Sequence, residues 1–294
     1  MAIQTIARHN VMDVLDVVSQ RAPVMSNRLH AGVHQFLEYC VHRGWRPDNP
    51  IAGTKREQVG EAVKSRDRVL CHPYDATKHE LLELAEALKA SNLRDTTKTA
   101  VWLMLGTACR IGELLLARWS NVDLTTREWL IPAEDSKNGK AHVVYLSDFA
   151  LTHFEQLQTI TGEGEWCFGS RSGGHLDTRT VTKQLRDRQR GKTAIAKRTK
   201  DSESLILSGC NWTPHDLRRT AATLMGHCGV LEGIIERCLN HTTGVNKIQR
   251  TYQLNIPRAE MKKAWETLGL RLQLILENRP NVLFYGQHNR SLVS

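Results

Sequence analysis

The spacing of the apolar residues constrains the fold most. Over 10–20, Val11, Val14, Leu15 and Val18 recur at i, i+3, i+4 and i+7. Over 26–43, Leu29, Val33, Phe36, Leu37 and Val41 do the same. One face of a 3.6-residue helix repeats in this way. Further helices are expected over 78–91, 96–106 and 111–120. The period then changes once. Glu128–Pro132 (EWLIP) and Ala141–Leu146 (AHVVYL) read as strands. They are joined by 133–140, where Asn138-Gly139 is a hairpin turn signal and Lys137 sits immediately before the turn. Beyond residue 150 the pattern is helical again, with a loop over 162–174, and no internal repeat is present. The expected class is mainly α with a small β-hairpin, α+β.

Ser26 stands as an N-cap, and Gly44 and Pro47 end its helix. Residues 52–68 are polar and charged, which predicts a linker. The expected domains are therefore 1–64, 65–278 and a tail, 279–294. No stretch approaches the roughly 20 apolar residues of a membrane span. The start, MAIQTIARHNVMD, lacks the pattern of a secretory signal, so the default compartment is the cytoplasm. Seven cysteines are scattered without a CxxC pair, which predicts reduced, mostly buried thiols rather than a disulfide framework or zinc ribbon.

The net charge is +9 over 294 residues. Residues 179–200 hold nine Lys/Arg (Arg179, Lys183, Arg186, Arg188, Arg190, Lys192, Lys197, Arg198 and Lys200) against a single acid, Asp187. Nearly the whole excess lies there. Such a run is commonly solvated surface, and it is also the composition of a phosphate-contacting strip.

Four stretches carry chemistry. In TACRIGELLLARWSNVDL, 107–124, Arg110 lies between two apolar helices with Glu113 one turn on. Lys137 sits at the hairpin tip. In TPHDLRRTAATLMGHCG, 213–229, Thr213 caps a helix with Pro214 in its first position. His215 and Arg218 then share one face of its first turn, where backbone N–H groups favour anions. In ERCLNHTTGVNKIQRTYQLN, 236–255, His241 precedes Tyr252. Singly, each has an ordinary reading: a surface ion pair, a turn lysine, a structural histidine or tyrosine.

Taken in order, Arg…Lys…His-x-x-Arg…His…Tyr resembles the tyrosine recombinase (phage integrase) family. RIGELLLARWSNVDLTTREWLIPAEDSKNGKAHVVYLSD, HDLRRTAATLM, IERCLNH and PRAEMKKAW are similar to its prophage/P4-type members. The likeness spans about residues 65–270. It departs at Ala108 and Cys109, where many relatives have Gly and Leu. The interval from His241 to Tyr252 is also slightly long.

The resemblance implies the fold, a tyrosine recombinase catalytic domain behind a short helical, SAM-like core-binding remnant without an arm-binding domain. It implies that Tyr252 is the nucleophile, forming a 3′-phosphotyrosyl bond. Arg110 and Arg218 would clamp the phosphate oxygens, which suits a fork that donates bidentately. Lys137 would be the general acid. His215 would exchange a proton with Tyr252, and His241 would bond the phosphate. Glu113 would orient Arg110 and His215. No metal or cofactor is expected. The implied partner is double-stranded DNA, with four protomers on synapsed sites, a monomer when free, and an accessory DNA-bending or directionality factor. The implied activity is site-specific recombination for integration or excision of a mobile element. Two alternatives stand beside it: a non-catalytic DNA-binding remnant, and a type IB topoisomerase-like nicking and religating enzyme. The C-terminal helix, with Met261, Ala264, Trp265, Leu268, Leu272 and Ile275 on one face, is expected to pack on its own domain, and an assembly role is the second reading.

Overall fold

The computed structural model describes residues 2–61, 66–171, 173–191, 198–241 and 257–278. The chain divides into two compact units, Met1–Arg66 and Asp67–Ser294. Tyr252, Lys192, Lys197 and the tail 279–294 lie outside the described residues.

In the first unit, α1 (Arg8–Arg21) and α2 (Pro23–His42) pack together, joined at Ala22. Pro23 opens α2, a position where its missing N–H is not needed. Ser26 is therefore not the N-cap. It lies inside α2, buried, and its hydroxyl donates to the Leu15 carbonyl of α1 at 3.0 Å. The small core is Val11, Leu15, Leu37, Ile51 and Val59. One of these, Val59, comes from 52–68, where only a linker was expected. Part of that stretch is packed: Thr54 and Val59 are buried, and the Asn27 side chain donates to the Glu61 carbonyl.

The second unit is built around α4 (Asp95–Thr107), nearly all of whose residues from Thr97 on are buried. It packs against α6 (Asp148–Thr161), α8 (Pro214–His227) and α10 (Arg258–Leu276). The six apolar residues of α10 named above are all buried in this unit. At about 2 kcal/mol for each large side chain taken out of water, that face holds the helix to its own domain. Trp265 adds a hydrogen bond from its indole N–H to the Thr107 carbonyl, 3.0 Å, at the end of α4.

An antiparallel sheet has the order β3 (Val122–Asp123), β4 (Glu128–Ile131), β5 (His142–Tyr145). Trp129, Ile131 and Val144 are buried, while Glu128 and Leu130 face outward, the period-2 alternation of a half-buried sheet. The register pairs Ile131 with His142, so ten residues, 132–141, connect β4 to β5. The connection is one residue longer at each end than the expected 133–140. The turn within it is closed by the Gly139 amide on the Ser136 carbonyl, 3.0 Å, which makes Lys137 and Asn138 its central residues.

Three further elements differ from the periodicity reading. A ribbon of β1 (Cys71–His72) and β2 (Asp75–His79) was not foreseen, and α3 begins only at Leu81, running to Ala90. The helix expected over 111–120 stops after five residues, as α5 (Ile111–Leu115). Tertiary bonds take the rest: the Ala117 carbonyl accepts from Cys167, and the Trp119 amide donates to Glu165. The remaining described helices are α7 (Thr178–Asp187) and α9 (Glu232–Cys238). Five of the seven cysteines are buried, Cys228 is half-buried and Cys210 is exposed, all as free thiols. Among the described residues no helix is long and apolar enough to cross a membrane.

Candidate active site

Arg110 is placed by a reversal of the chain after α4. Ala108 takes the left-handed conformation, φ 54°, at the helix end. Glycine adopts this without strain, whereas alanine costs about 1–2 kcal/mol there. Arg110 then becomes the N-cap of α5. Glu113, only 4% exposed, accepts from the Arg110 amide at 3.0 Å and from its guanidinium at 2.7 Å. Both carboxylate oxygens are thus used on Arg110, and none of the described hydrogen bonds joins Glu113 to His215.

Thr213 and Pro214 start α8 as their sequence predicts. The Asp216 carboxylate takes both the amide and the hydroxyl of Thr213 at 2.8 Å, a capping box closed by the acidic residue. His215 is exposed in this first turn, and Arg218 one turn on is buried, 3% exposed. Arg218 forms no ion pair among the described residues. It donates to the Ala108 carbonyl at 2.7 Å and to the Leu239 carbonyl. Burial pulls its pKa down to about 10; the neighbouring Arg110 acts in the same direction, and Glu113 opposes both. Burial also lowers the pKa of His215, with Arg219, Arg218 and Arg110 adding to the effect. Two guanidiniums and an imidazole therefore lie within electrostatic reach of one another, with Glu113 as the compensating acid. Such a cluster favours an anion.

The C-terminus of α9 joins these parts. A helix end leaves its last carbonyls without intrahelical partners. Here three successive ones are taken by three different elements. The Cys238 carbonyl pairs with Nε2 of His142 on β5 at 3.1 Å. The Leu239 carbonyl takes Arg218 of α8. The Asn240 carbonyl takes the Asn138 side chain of the 132–141 loop at 2.9 Å. Asn240 itself is left-handed, φ 49°. Its amide bonds the Arg237 carbonyl and the His241 amide bonds the Glu236 carbonyl, both at 3.0 Å, which is a Schellman ending. That ending delivers His241, whose Nδ1 lies 2.8 Å from the Glu236 carboxylate.

Lys137 is exposed in the same loop, one residue before Asn138. The loop is also held at Asp135, where Arg118 pairs with it at 3.3 Å. Arg118 at the same time pairs with Glu165 and lies 4.3 Å from the Trp166 ring centroid. Sequence reasoning singles out Arg110, Glu113, Lys137, His215, Arg218 and His241 as candidates. It missed His142, Asn138, Asn240 and Arg118. The Asn138-Gly139 pair signals only a turn, and nothing in the sequence marks Asn240 beside His241.

The basic run 179–200 is not uniform. Asp177 caps α7 by accepting from the Arg179 amide. Val181 and Leu185 bury one face, and Arg179, Lys183 and Arg186 are exposed at i, i+4 and i+7 on another. Arg188 is buried and turned inward, bonded to the Asn92 side chain and paired with Asp201 at 3.3 Å. Arg190 donates to the Thr199 carbonyl, and Arg198 pairs with Asp187. These last three arginines knit the segment together rather than forming an open strip. Lys200 is exposed.

A model of the phage integrase family matches residues 75–255, more than half of the chain. Prophage integrase IntA of Escherichia coli K12 is 27% identical over 255 residues, covering 86% of this chain and 55% of that protein. The integrase of Enterobacteria phage P4 is 25% identical over 241 residues, covering 78% and 50%. The chain spans about half the length of these relatives. Among solved structures, a lambda integrase dimer bound to a COC′ core site matches with a TM-score of 0.60 at 17% identity, covering 88% of this chain and 83% of that one. A lambda integrase tetramer bound to a Holliday junction matches at 0.58 and 18% identity, covering 83% and 67%. On the strength of the match over 75–255, the chain belongs to the phage integrase family.

Proposed function

We propose that this chain is a site-specific DNA recombinase that cleaves and rejoins DNA through a 3′-phosphotyrosyl intermediate. The observation that carries this reading is Arg218, a buried guanidinium with no carboxylate ion pair among the described residues, facing the same cluster as Arg110. A charge held out of water without an ion partner is costly, and a phosphodiester bound between the two arginines supplies the missing anion.

In the proposed step, the phenolic oxygen of Tyr252 bonds to phosphorus and the P–O5′ bond breaks. The tyrosine proton passes to His215, which is neutral near pH 7 because its pKa is lowered. Lys137 gives a proton to the departing O5′. Arg110 and Arg218 hold the non-bridging oxygens as charge develops. His241, with Nδ1 held by the Glu236 carboxylate, bonds the phosphate through its other ring nitrogen. Reversal by a different 5′-hydroxyl rejoins the strand, with the phosphoester bond conserved throughout.

Double-stranded DNA is the substrate in this reading, and four protomers on two synapsed sites form the working assembly, as the lambda integrase tetramer on a Holliday junction suggests by analogy. The first unit serves as a core-binding domain, and the exposed face of α7 contacts backbone phosphates. The reaction inserts or excises a mobile element in the bacterial cytoplasm, at the nucleoid, with an accessory DNA-bending factor setting direction.

Covalent capture tests the reading. The chain is incubated with a pool of nicked suicide duplexes carrying a randomised core and resolved under denaturing conditions. The expected result is a DNA–protein adduct of enriched sequence that Tyr252→Phe abolishes. Absence of any adduct would leave a DNA-binding protein without cleavage activity. Relaxation of supercoiled plasmid with no enriched sequence would indicate a topoisomerase-like activity instead.

A further inference from the structure

The loop that carries Lys137 and the turn that carries His241 are joined side chain to side chain. Asn138 Nδ2 donates to both the carbonyl and the side-chain oxygen of Asn240, each at 2.9 Å. Asn240 Nδ2 returns a hydrogen bond to the Ser136 hydroxyl at 3.0 Å. The Ser136 hydroxyl donates to Asn138 Oδ1 at 2.9 Å, and that same oxygen accepts from the Lys140 amide. Ser136 is buried. The three polar side chains thus satisfy one another at the base of the turn whose second residue is Lys137.

We propose that Asn138 and Asn240 are positioning residues, forming a clasp that ties the loop to the α9 turn and so sets Lys137 against the scissile phosphate. A ten-residue loop with an exposed lysine would otherwise sample many positions, and a proton donor must lie within hydrogen-bond reach of its acceptor. The clasp fixes Lys137 from its adjacent residue, while its other end is anchored by the same α9 terminus that orients His241. Arg118, bound to Asp135, steadies the loop from its opposite side. This inference rests on the proposed role of Lys137 as leaving-group acid.

The test uses the full chain and the duplex captured by covalent trapping, made in two forms. One has the natural 5′-oxygen leaving group. The other has sulfur at that bridging position, a leaving group that departs without a proton. Asn240→Gly removes the side chain and keeps a residue at ease in the left-handed conformation. Asn138→Ala removes the partner. Lys137→Ala should slow cleavage of the oxygen duplex by about 10²-fold or more and be restored by sulfur. Each clasp variant should lose about tenfold or more on oxygen, recover to near wild-type rate on sulfur, and melt within a few degrees of the wild type. The double variant should be no slower than the worse single one.

If Lys137→Ala is rescued by sulfur but the clasp variants are equally slow on both duplexes, or unchanged on both, the clasp is not a positioning device. If Lys137→Ala itself is not rescued, the acid role fails and the inference falls with it.

Discussion

Arg218 is the residue on which the site turns. Burial and the nearby Arg110 hold its pKa near 10, so its charge is retained at neutral pH at a cost on the order of 3 kcal/mol relative to a solvated arginine. Any anion that binds there recovers part of that cost. Inorganic phosphate, compared with chloride at equal ionic strength, should therefore raise the melting temperature. At ten times its Kd the gain is about 1.4 kcal/mol, or roughly 3–6 °C for a unit of this size. Arg218→Gln should show no such shift, as read by differential scanning fluorimetry. His215 gives a second expectation. Its pKa lies below the ordinary 6.5, so the neutral base predominates at pH 7 and is lost as pH falls through the lowered value. Single-turnover cleavage should accordingly be flat near neutrality and fall on the acid side. His215→Gln should be slow and lose that acid limb. An inflection above 6.5 would contradict the assignment. At this scale the sequence was a good guide to residue types, because His-x-x-Arg on a Pro-started helix and an Arg followed by Glu at i+3 are local patterns. The carbonyl partners of Arg218 were not legible. They belong to Ala108 and Leu239, 110 and 21 residues away, and depend on two left-handed backbone turns at Ala108 and Asn240.

The elements were legible where the apolar period was long. α1 and α4 match their expected spans closely, and α8 starts at its Thr-Pro signal. The period failed where tertiary hydrogen bonds overrode it. After α5 the chain leaves the helix so that Ala117 and Trp119 can pair with 165–167. The loop over 132–141 is longer than its Asn-Gly signal suggested, because Ser136, Asn138 and Asn240 form their own network. α7 shows what charge counting alone hides. Of the basic residues described in that run, Arg179, Lys183, Arg186 and Lys200 are exposed, whereas Arg188, Arg190 and Arg198 are tied internally. Replacing Arg179, Lys183 and Arg186 together by Gln should flatten the salt dependence of DNA affinity, lowering the log–log slope by about 2–3. Replacing Arg188 should instead destabilise the fold and leave the slope unchanged. Fluorescence anisotropy titrations at several salt concentrations separate the two.

At the scale of the whole molecule, the boundary between Arg66 and Asp67 divides a two-helix unit from the unit that holds every described candidate residue. The charge excess that pointed to a polyanion is concentrated around α7, while Arg110, Lys137 and Arg218 lie elsewhere in the sequence: Arg218 and the loop that carries Lys137 are tied to the end of α9, and Arg110 lies within electrostatic reach of Arg218. Affinity and chemistry are therefore assigned to different parts of the second unit. Tyr252 is proposed to complete the chemistry, a role that follows from the family motif. The most direct measurement is to digest the trapped DNA–protein adduct and identify by mass spectrometry the side chain that carries the 3′-phosphate. The expected attachment is the phenolic oxygen of Tyr252, with the adduct lost in Tyr252→Phe. Attachment at Tyr145, Tyr285 or any residue other than Tyr252, or an adduct that survives Tyr252→Phe, would contradict it.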